Sequence, residues 1–379
     1  MAGIIRHPRI GVLPDQSDDN RVDACAGLRL IYPFTHPKVR ERFDVTIIGP
    51  NARPADYDLI AAQRTLHPMV SINDAESFIA SLKRSGIRLV VDLDDNLLDC
   101  HPDPGTERSL AQQRVKTRLL LRAADCVIVS TCRLGQRVAR LNQNIAVSEN
   151  ALPESWLTRP PAARNGNQVV IGCYGTFTHQ RDFMAVAAGI QAALRRLARE
   201  ARIELCGLST DPRIVKLFED TCQIRVLRPI PDYFSFFHFM RNEANWDIGL
   251  APLNRGPFQD SKSDIKFLEL AAFGCAGIYS DAPAYASVQD RHTGIICADS
   301  PSQWAAAISE LVQDATLRGE IRERARAKVE GERTMAKAAA RICTILAKVL
   351  DTSEAAGSGE PIRVDNDVAL SARSIPDPR

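Results

Sequence analysis

The chain has 379 residues, 45% hydrophobic and 25% charged, with a formal net charge of +2. That length suits about two domains, and the composition is that of a globular protein. The small net charge gives no reason to expect nucleic acid or a strongly anionic surface as the main partner. Ten cysteines are scattered without a CxxC pair, and several sit in apolar runs. This argues against a zinc ribbon and for free thiols in a reducing compartment. No secretory signal opens the sequence and no run of 18 apolar residues occurs. A cytoplasmic location is therefore expected, with no transmembrane segment.

In chain order, apolar strands are expected at 9–14, 43–49, 57–62, 86–92, 126–130 and 145–148. Helices are expected between them: a stretch ending near Leu30, then 73–85 with Asn73 as cap, 106–124 and 133–142. A polar loop spans 15–20. Apolar strands alternating with helices predict an α/β fold with a parallel sheet covered on both faces. Residues 1–155 are taken as the first domain, and 156–167, rich in Pro, Gly and Asn, as a linker.

The alternation restarts at 168. Strands are expected at 168–174, 203–207, 224–227, 246–252, 277–279 and 294–297, and helices at 180–199, 212–221, 233–242, 302–314 and 316–329. Residues 168–335 form the second domain. An apolar helix follows at 336–350, and 351–379, rich in Ser, Gly, Pro, Asp and Glu, should be disordered. Two doubly wound domains facing a cleft place ligands beyond the carboxyl ends of the strands.

The stretch 254–274 organises the chain. Ser261 with Asp264 fits a capping box, Ser263 is an alternative cap, and Gly274 suits the helix stop. Lys262 and Lys266 then share one face near free backbone N–H groups, with Glu269 beyond them. Two readings stay open on spacing alone. One is an anion site for a diphosphate with hydroxyls near the carboxylate; the other is a solvated amphipathic helix with an ordinary Lys–Glu pair. At the start of the second domain, Gly175 permits close backbone approach and Thr178 is a candidate cap. His179 and Asp182 stand as polar groups at that turn's mouth, and the absence of GxGxxG argues against a nicotinamide dinucleotide.

Asp92-Leu-Asp94-Asp95 matches a metal-binding DxD, or the nucleophile motif of an Asp-dependent phosphatase using Asp92. The phosphatase pattern needs Thr or Val where Asn96 stands. Lining the acceptor side of a cleft is the better reading of Asp92, Asp94 and Asp95, with Asp94 or Asp95 as base if a transfer inverts. The aromatic run 233–239 reads as packing rather than as a carbohydrate platform.

Together, Gly175-Thr-Phe-Thr-His179-Gln-Arg-Asp182, Trp246-Asp-Ile-Gly-Leu-Ala-Pro-Leu253 and Lys262-Ser-Asp-Ile-Lys266-Phe-Leu-Glu269 with its continuation to Ile278 carry a resemblance. They resemble the donor half of a GT-B glycosyltransferase of the family 4/family 1 superfamily of bacterial surface-polysaccharide enzymes. Thr293-Gly-Ile-Ile, Gln303-Trp-Ala-Ala-Ala-Ile, Leu317-Arg, Ile321 and Ala325-Arg extend the likeness through about 330. The first domain is similar more loosely, through 91–95, 127–131 and 148–152.

The resemblance implies a nucleotide-diphosphate sugar as co-substrate, no further cofactor, and no metal if protein cations take its place. It implies a glycan, lipid-linked or protein acceptor on the first domain, and it is compatible with peripheral membrane contact. Lys262 and Lys266 would hold the diphosphate and Glu269 the ribose. Gly175, Thr176, Thr178, His179, Asp182 and Ser263 would line the donor site, with Pro231 near the nucleobase. The helix at 336–350 would cross back to the first domain. A retaining hexosyl transfer is implied, but Ser261 stands where family 4 has a glutamate. Asp260 is the candidate replacement, and the stereochemistry stays open. A catalytically silent binding module is the alternative from another class.

Overall fold

The computed structural model describes residues 6–15, 24–49, 51–66, 70–101, 103–158, 168–208, 212–219 and 224–351. The expected polar loop beyond Asp15, most of the linker (159–167), Cys222 and the tail from 352 lie outside the described residues.

The first half runs β1 (Arg9–Leu13), α1 (Ala24–Ala26), a π-helical turn at Gly27–Ile31, α2 (Tyr32–Thr35), α3 (Pro37–Arg40) and β2 (Asp44–Ile47). It continues through β3 (Leu59–Gln63), α4 (Ile72–Arg84), β4 (Arg88–Leu93), α5 (Pro104–Ala123), β5 (Cys126–Val129), α6 (Cys132–Val138) and β6 (Ile145–Val147). The second half runs β7 (Val169–Tyr174), α7 (Gln180–Arg196), β8 (Ala201–Cys206), α8 (Pro212–Glu219), β9 (Ile224–Leu227), α9 (Tyr233–Phe239) and β10 (Ile248–Ala251). It ends with α10 (Ile265–Ala272), β11 (Ala276–Ser280), β12 (Ile295–Cys297), α11 (Pro301–Gln313), α12 (Ala315–Glu332) and α13 (Met335–Asp351).

Each half is one parallel six-stranded sheet, ordered β2-β1-β3-β4-β5-β6 and β12-β11-β10-β7-β8-β9. Both are doubly wound, as the alternating pattern predicts. The strands are runs of Val, Ile, Leu and Ala, because a strand covered on both faces has no side to leave polar. The order reverses between β1 and β3 in one sheet and between β7 and β10 in the other. At such switch points neighbouring loops diverge and leave a crevice at the strands' carboxyl ends.

Some caps differ from expectation. Ser71, not Asn73, caps α4, through a reciprocal pair with Asp74. The S-x-x-D spacing satisfies two end N–H groups at once, which Asn73 cannot match. Asp103 caps α5, with Pro104 in its first turn.

One face of the first sheet packs under α4–α6. The other takes Leu30 and Phe34 together with Ile342, Ile345, Leu346 and Val349 of α13. The last described helix therefore lies on the first sheet, against β1 and β3–β6, although it follows the second sheet in the chain. A short bridge between Leu152 and Thr334 ties the two crossing points together. Leu346 is fully buried in this face. Leu346→Ala should cost about 2–5 kcal/mol of stability, the usual price of a buried Leu truncation, read as a lower midpoint in urea unfolding.

Candidate active site

The second sheet's switch point builds the site. β7 ends at Tyr174 and β10 at Ala251, and α10 begins beside both. Gly172 on β7 makes this packing possible: a Cβ there would lie 1.8 Å from the Trp246 ring. The indole fills that space and donates Nε1–H to the buried Glu204 at 3.0 Å. Gly274 ends the α10 segment at φ +74°, a left-handed conformation that glycine adopts without strain.

The entry to α10 is not built as the spacing suggests. Gln259–Ser261 form a short 3₁₀ turn, and Lys262 follows it in extended conformation, outside the helix. The Ser261–Asp264 capping box does not form. Ser261 donates its hydroxyl to the Pro257 carbonyl at 3.0 Å. Asp264 occupies the N-cap position without a side-chain cap bond, because its carboxylate accepts from Arg333 at 2.7 and 2.9 Å and from Ser287 at 2.8 Å. Ser263 does not cap either; its hydroxyl accepts from Asn150 of the first domain at 2.8 Å. Thr178 is likewise no cap, since 177–179 form a 3₁₀ turn and its hydroxyl bonds that of Thr176.

Lys262 and Lys266 nonetheless meet. Both line a cavity of about 220 Å³ between the two sheets, with His179, Ser263 and Glu269 on the second-domain side. Arg29, Asp94, Asp95 and Asn150 close it from the first domain. Lys266 donates to the Tyr174 carbonyl at 2.6 Å and lies 4.0 Å over that residue's ring. Burial lowers its pKa. Lys262 lies 3.5 Å from Asp95 across the cleft and 5.0 Å over the Phe258 ring.

Glu269, 4% exposed, stands one helical turn past Lys266 and accepts from the hydroxyls of Tyr174 and of Tyr233, the latter at 2.5 Å. Burial raises its pKa, and the two tyrosine hydrogen bonds oppose that. Tyr233 comes from the aromatic run, so that run is not packing alone. The signal available in the sequence was a lone Tyr opening a Phe-rich helix after an Asp cap. Arg29 carried no local motif, and Asn150 lay in the 148–152 stretch without being singled out; folding brings both here.

Other expected site residues stand apart. Asp260 is turned to Arg255 at 2.8 Å and does not line the cavity, because its own loop supplies the cation. Pro231 and Thr176 are exposed and also outside the lining. The close approach at Gly175 is made by His179, whose Cβ would lie 2.9 Å from a Cβ at Gly175. Asp92 is buried, is held by Arg29 at 2.6 and 3.3 Å, and does not line the cavity. Asp94 is gripped at 2.7 Å on both oxygens by Arg64. Burial works against its ionisation, but the Arg64 charge and hydrogen bonds hold its pKa low.

Thr178, Asp182 and Arg181 border a polar cavity of about 450 Å³ with His101, Asn254 and Arg255. A smaller space of about 160 Å³ shares Asp95, His179 and Lys262 with the first cavity, and His101 and Thr178 with the polar one. The cleft is thus continuous past His179. Asp182 accepts from the Asn254 backbone N–H at 3.0 Å and contacts His179 Nδ1 at 3.1 Å.

Burial lowers the His179 pKa from 6.5 to about 4; the Lys266 charge adds to the shift and Asp182 opposes it. The folded value lies below the unfolded one, so the unfolded chain binds more protons between them. Stability from this group is present above the unfolded pKa and is lost as pH falls through about 4. An NMR titration should place the imidazole midpoint near 4. Lys266→Ala should move that midpoint upward.

Among known families, residues 190–344 match the model described as glycosyl transferase-like. No curated protein matches the chain in sequence. Solved structures match its fold. HepE from Anabaena, solved with UDP and glucose, is 14% identical, with a TM-score of 0.62 over 90% of this chain and 100% of that one. A glycosyltransferase from Rickettsia africae is 13% identical, with 0.61 over 91% and 99%. Sucrose-phosphate synthase from Thermosynechococcus elongatus is 11% identical, with 0.61 over 92% and 100%. Among the described residues, no helix is long and apolar enough to cross a membrane. The chain thus has the GT-B fold in both its halves, and residues 190–344 are similar in sequence to the glycosyl transferase-like family.

Proposed function

We propose that this chain transfers a sugar from a nucleoside diphosphate sugar, held by the second domain, to a hydroxyl of a glycan, lipid-linked or protein acceptor on the first-domain side of the cleft. The observation that carries this reading is the convergence of Lys262 and Lys266 at the carboxyl edge of β7 and β10, with Glu269 one turn further. Breaking the bond between the sugar and the diphosphate builds negative charge on the leaving oxygens. Two fixed ammonium groups aimed there lower the barrier, because they bind that charge more strongly in the transition state than in the ground state.

Glu269 suits the ribose. Each of its oxygens already accepts one tyrosine hydroxyl and retains a further lone pair for a neutral hydroxyl, whereas a phosphate would be repelled. Ser263 and His179 flank the space between ribose and sugar. HepE was solved with UDP-glucose, which supports a uridine nucleotide as the first donor to try. A place in surface polysaccharide or glycoconjugate synthesis follows from the sequence resemblance.

The turning of Asp260 and Ser261 away from the cavity favours a second reading, a module that binds a nucleotide sugar without turning it over. Thermal-shift and calorimetric titrations with UDP, GDP, ADP and CMP, followed by donor turnover, separate the two. The enzyme reading expects one nucleotide to raise the melting temperature and its sugar conjugate to be consumed. Lys266→Ala should then lower kcat by about a hundredfold or more, with the fold intact by circular dichroism. Binding without turnover selects the silent module; no binding by any of the four sinks both.

A further inference from the structure

We infer, resting on the donor-site reading above, that the polar cavity of about 450 Å³ holds the acceptor and takes an uncharged saccharide, with His101 as its fixed hydrogen-bond donor. This cavity shares no described lining residue with the 220 Å³ cavity of Lys262, Lys266 and Glu269. The two are joined through the 160 Å³ space, which borders His179 and Lys262 on one side and His101 and Thr178 on the other. Glu269 borders only the first cavity, whereas Lys262 borders the connecting space as well. With ribose on Glu269 and diphosphate on the lysines, the donor's sugar points toward that space. A second ligand then reaches it from the polar side.

The lining selects the kind of ligand. Of the described residues around the polar cavity, Ala185 alone is apolar; the rest are His, Asp, Thr, Arg, Asn and Gln. An acyl chain or an apolar side chain has nothing there to bury against. The cations Arg181 and Arg255 are matched in number by the carboxylates Asp103 and Asp182, so the lining favours neither a phosphate nor an acidic sugar. A ring carrying several hydroxyls both donates and accepts, which suits this mixture. The second domain supplies Arg181, Asn254 and Arg255, so the acceptor is held by both domains rather than by the first alone.

His101 is fixed in one state. Its Nδ1 accepts the Asp103 backbone N–H at 3.0 Å, which leaves the proton of the neutral ring on Nε2. Burial lowers its pKa and so favours that neutral ring. The His101 backbone N–H is held by Glu107 at 2.7 Å, and Glu107 by Arg114 at 2.9 and 3.0 Å. The imidazole meets the Phe258 ring edge-on, with centroids 4.5 Å apart. His101 borders both the polar cavity and the connecting space. It therefore brings one preset N–H donor to the passage between the two ligands.

The test uses the whole chain saturated with UDP, GDP or ADP, whichever binds. The probes are the methyl glycosides of glucose, galactose, mannose and N-acetylglucosamine and their octyl counterparts, followed by saturation-transfer NMR and calorimetry. At least one methyl glycoside should bind, and its octyl form should bind less than about threefold tighter, since the chain finds no apolar wall. His101→Phe keeps a ring against Phe258 but removes the donor, and should weaken that saccharide about tenfold. Ala185 is exposed on α7, so Ala185→Trp fills the cavity from the surface without touching the core. It should abolish saccharide binding and keep the nucleoside diphosphate.

Saccharide binding that survives Ala185→Trp overturns the proposal, as does binding of the octyl glycosides alone. Wild-type affinity in His101→Phe overturns the role of His101. A chain that binds a nucleoside diphosphate but no methyl glycoside overturns the acceptor assignment and leaves the donor site standing. A chain that binds no nucleoside diphosphate removes the donor-site reading and, with it, the assignment of this cavity to an acceptor.

Discussion

Asp264 gives both carboxylate oxygens to Arg333 in a buried ion pair, and the site depends on where that pair sits. Arg333 lies between α12 and α13, at the point where the chain leaves the second sheet for the first. Its Nε donates to the Asn150 carbonyl at 2.9 Å, and Asn150 donates to Ser263. One guanidinium therefore joins the end of the first domain, the start of α10 and the crossover. Removing either partner of such a pair leaves a buried charge unmatched and costs about 3–5 kcal/mol. Here it would also release the α10 entry, and with it the direction of Lys266 and Glu269.

Around that pair the domains are closed by polar contacts of modest strength. Thr131 donates to the Ser261 carbonyl at 3.0 Å, Asn96 to the Pro257 carbonyl at 2.9 Å, and Lys262 faces Asp95. All three are made by the loop 257–262 and by the carboxyl ends of first-domain strands. Hydrogen bonds of this kind contribute about 0.5–1.5 kcal/mol each, since water competes for both partners. The cleft is thus fastened by a buried ion pair at the crossover and by weaker hydrogen bonds at its mouth.

Much of the fold was legible before any coordinates. Alternating apolar strands and helices specify two doubly wound sheets because a parallel strand must be buried on both faces, and that requirement is written residue by residue. Lys262, Lys266 and Glu269 could be picked out for the same local reason, a short spacing beside a strand end. What was not legible depends on partners distant in sequence. The Ser261–Asp264 capping box looked sound on spacing but lost to Arg333, 69 residues on. Thr178 and Asp260 were claimed instead by near neighbours, Thr176 and Arg255, which spacing alone does not rank. Tyr233 was read as packing because a tyrosine's hydroxyl shows its use only when an acceptor such as Glu269 is in place. Asp92, Asp94 and Asp95 look equivalent in sequence; Arg29 and Arg64 sort them by claiming the first two.

Burial sets the electrostatics of the cavity. Lys266 caps the Tyr174 carbonyl and lies over its ring, and burial depresses its pKa. His179 beside it is held neutral by burial and by that same ammonium. Burial thus opposes positive charge at both groups. Burial also disfavours the Glu269 anion, while its two tyrosine hydrogen bonds and the Lys266 charge favour it. On the donor-site reading proposed above, a diphosphate would supply counter-charge and favour the protonated form of Lys266. On that reading the same anion would compete with Asp95 for the Lys262 ammonium, since one ammonium cannot serve both anions equally well.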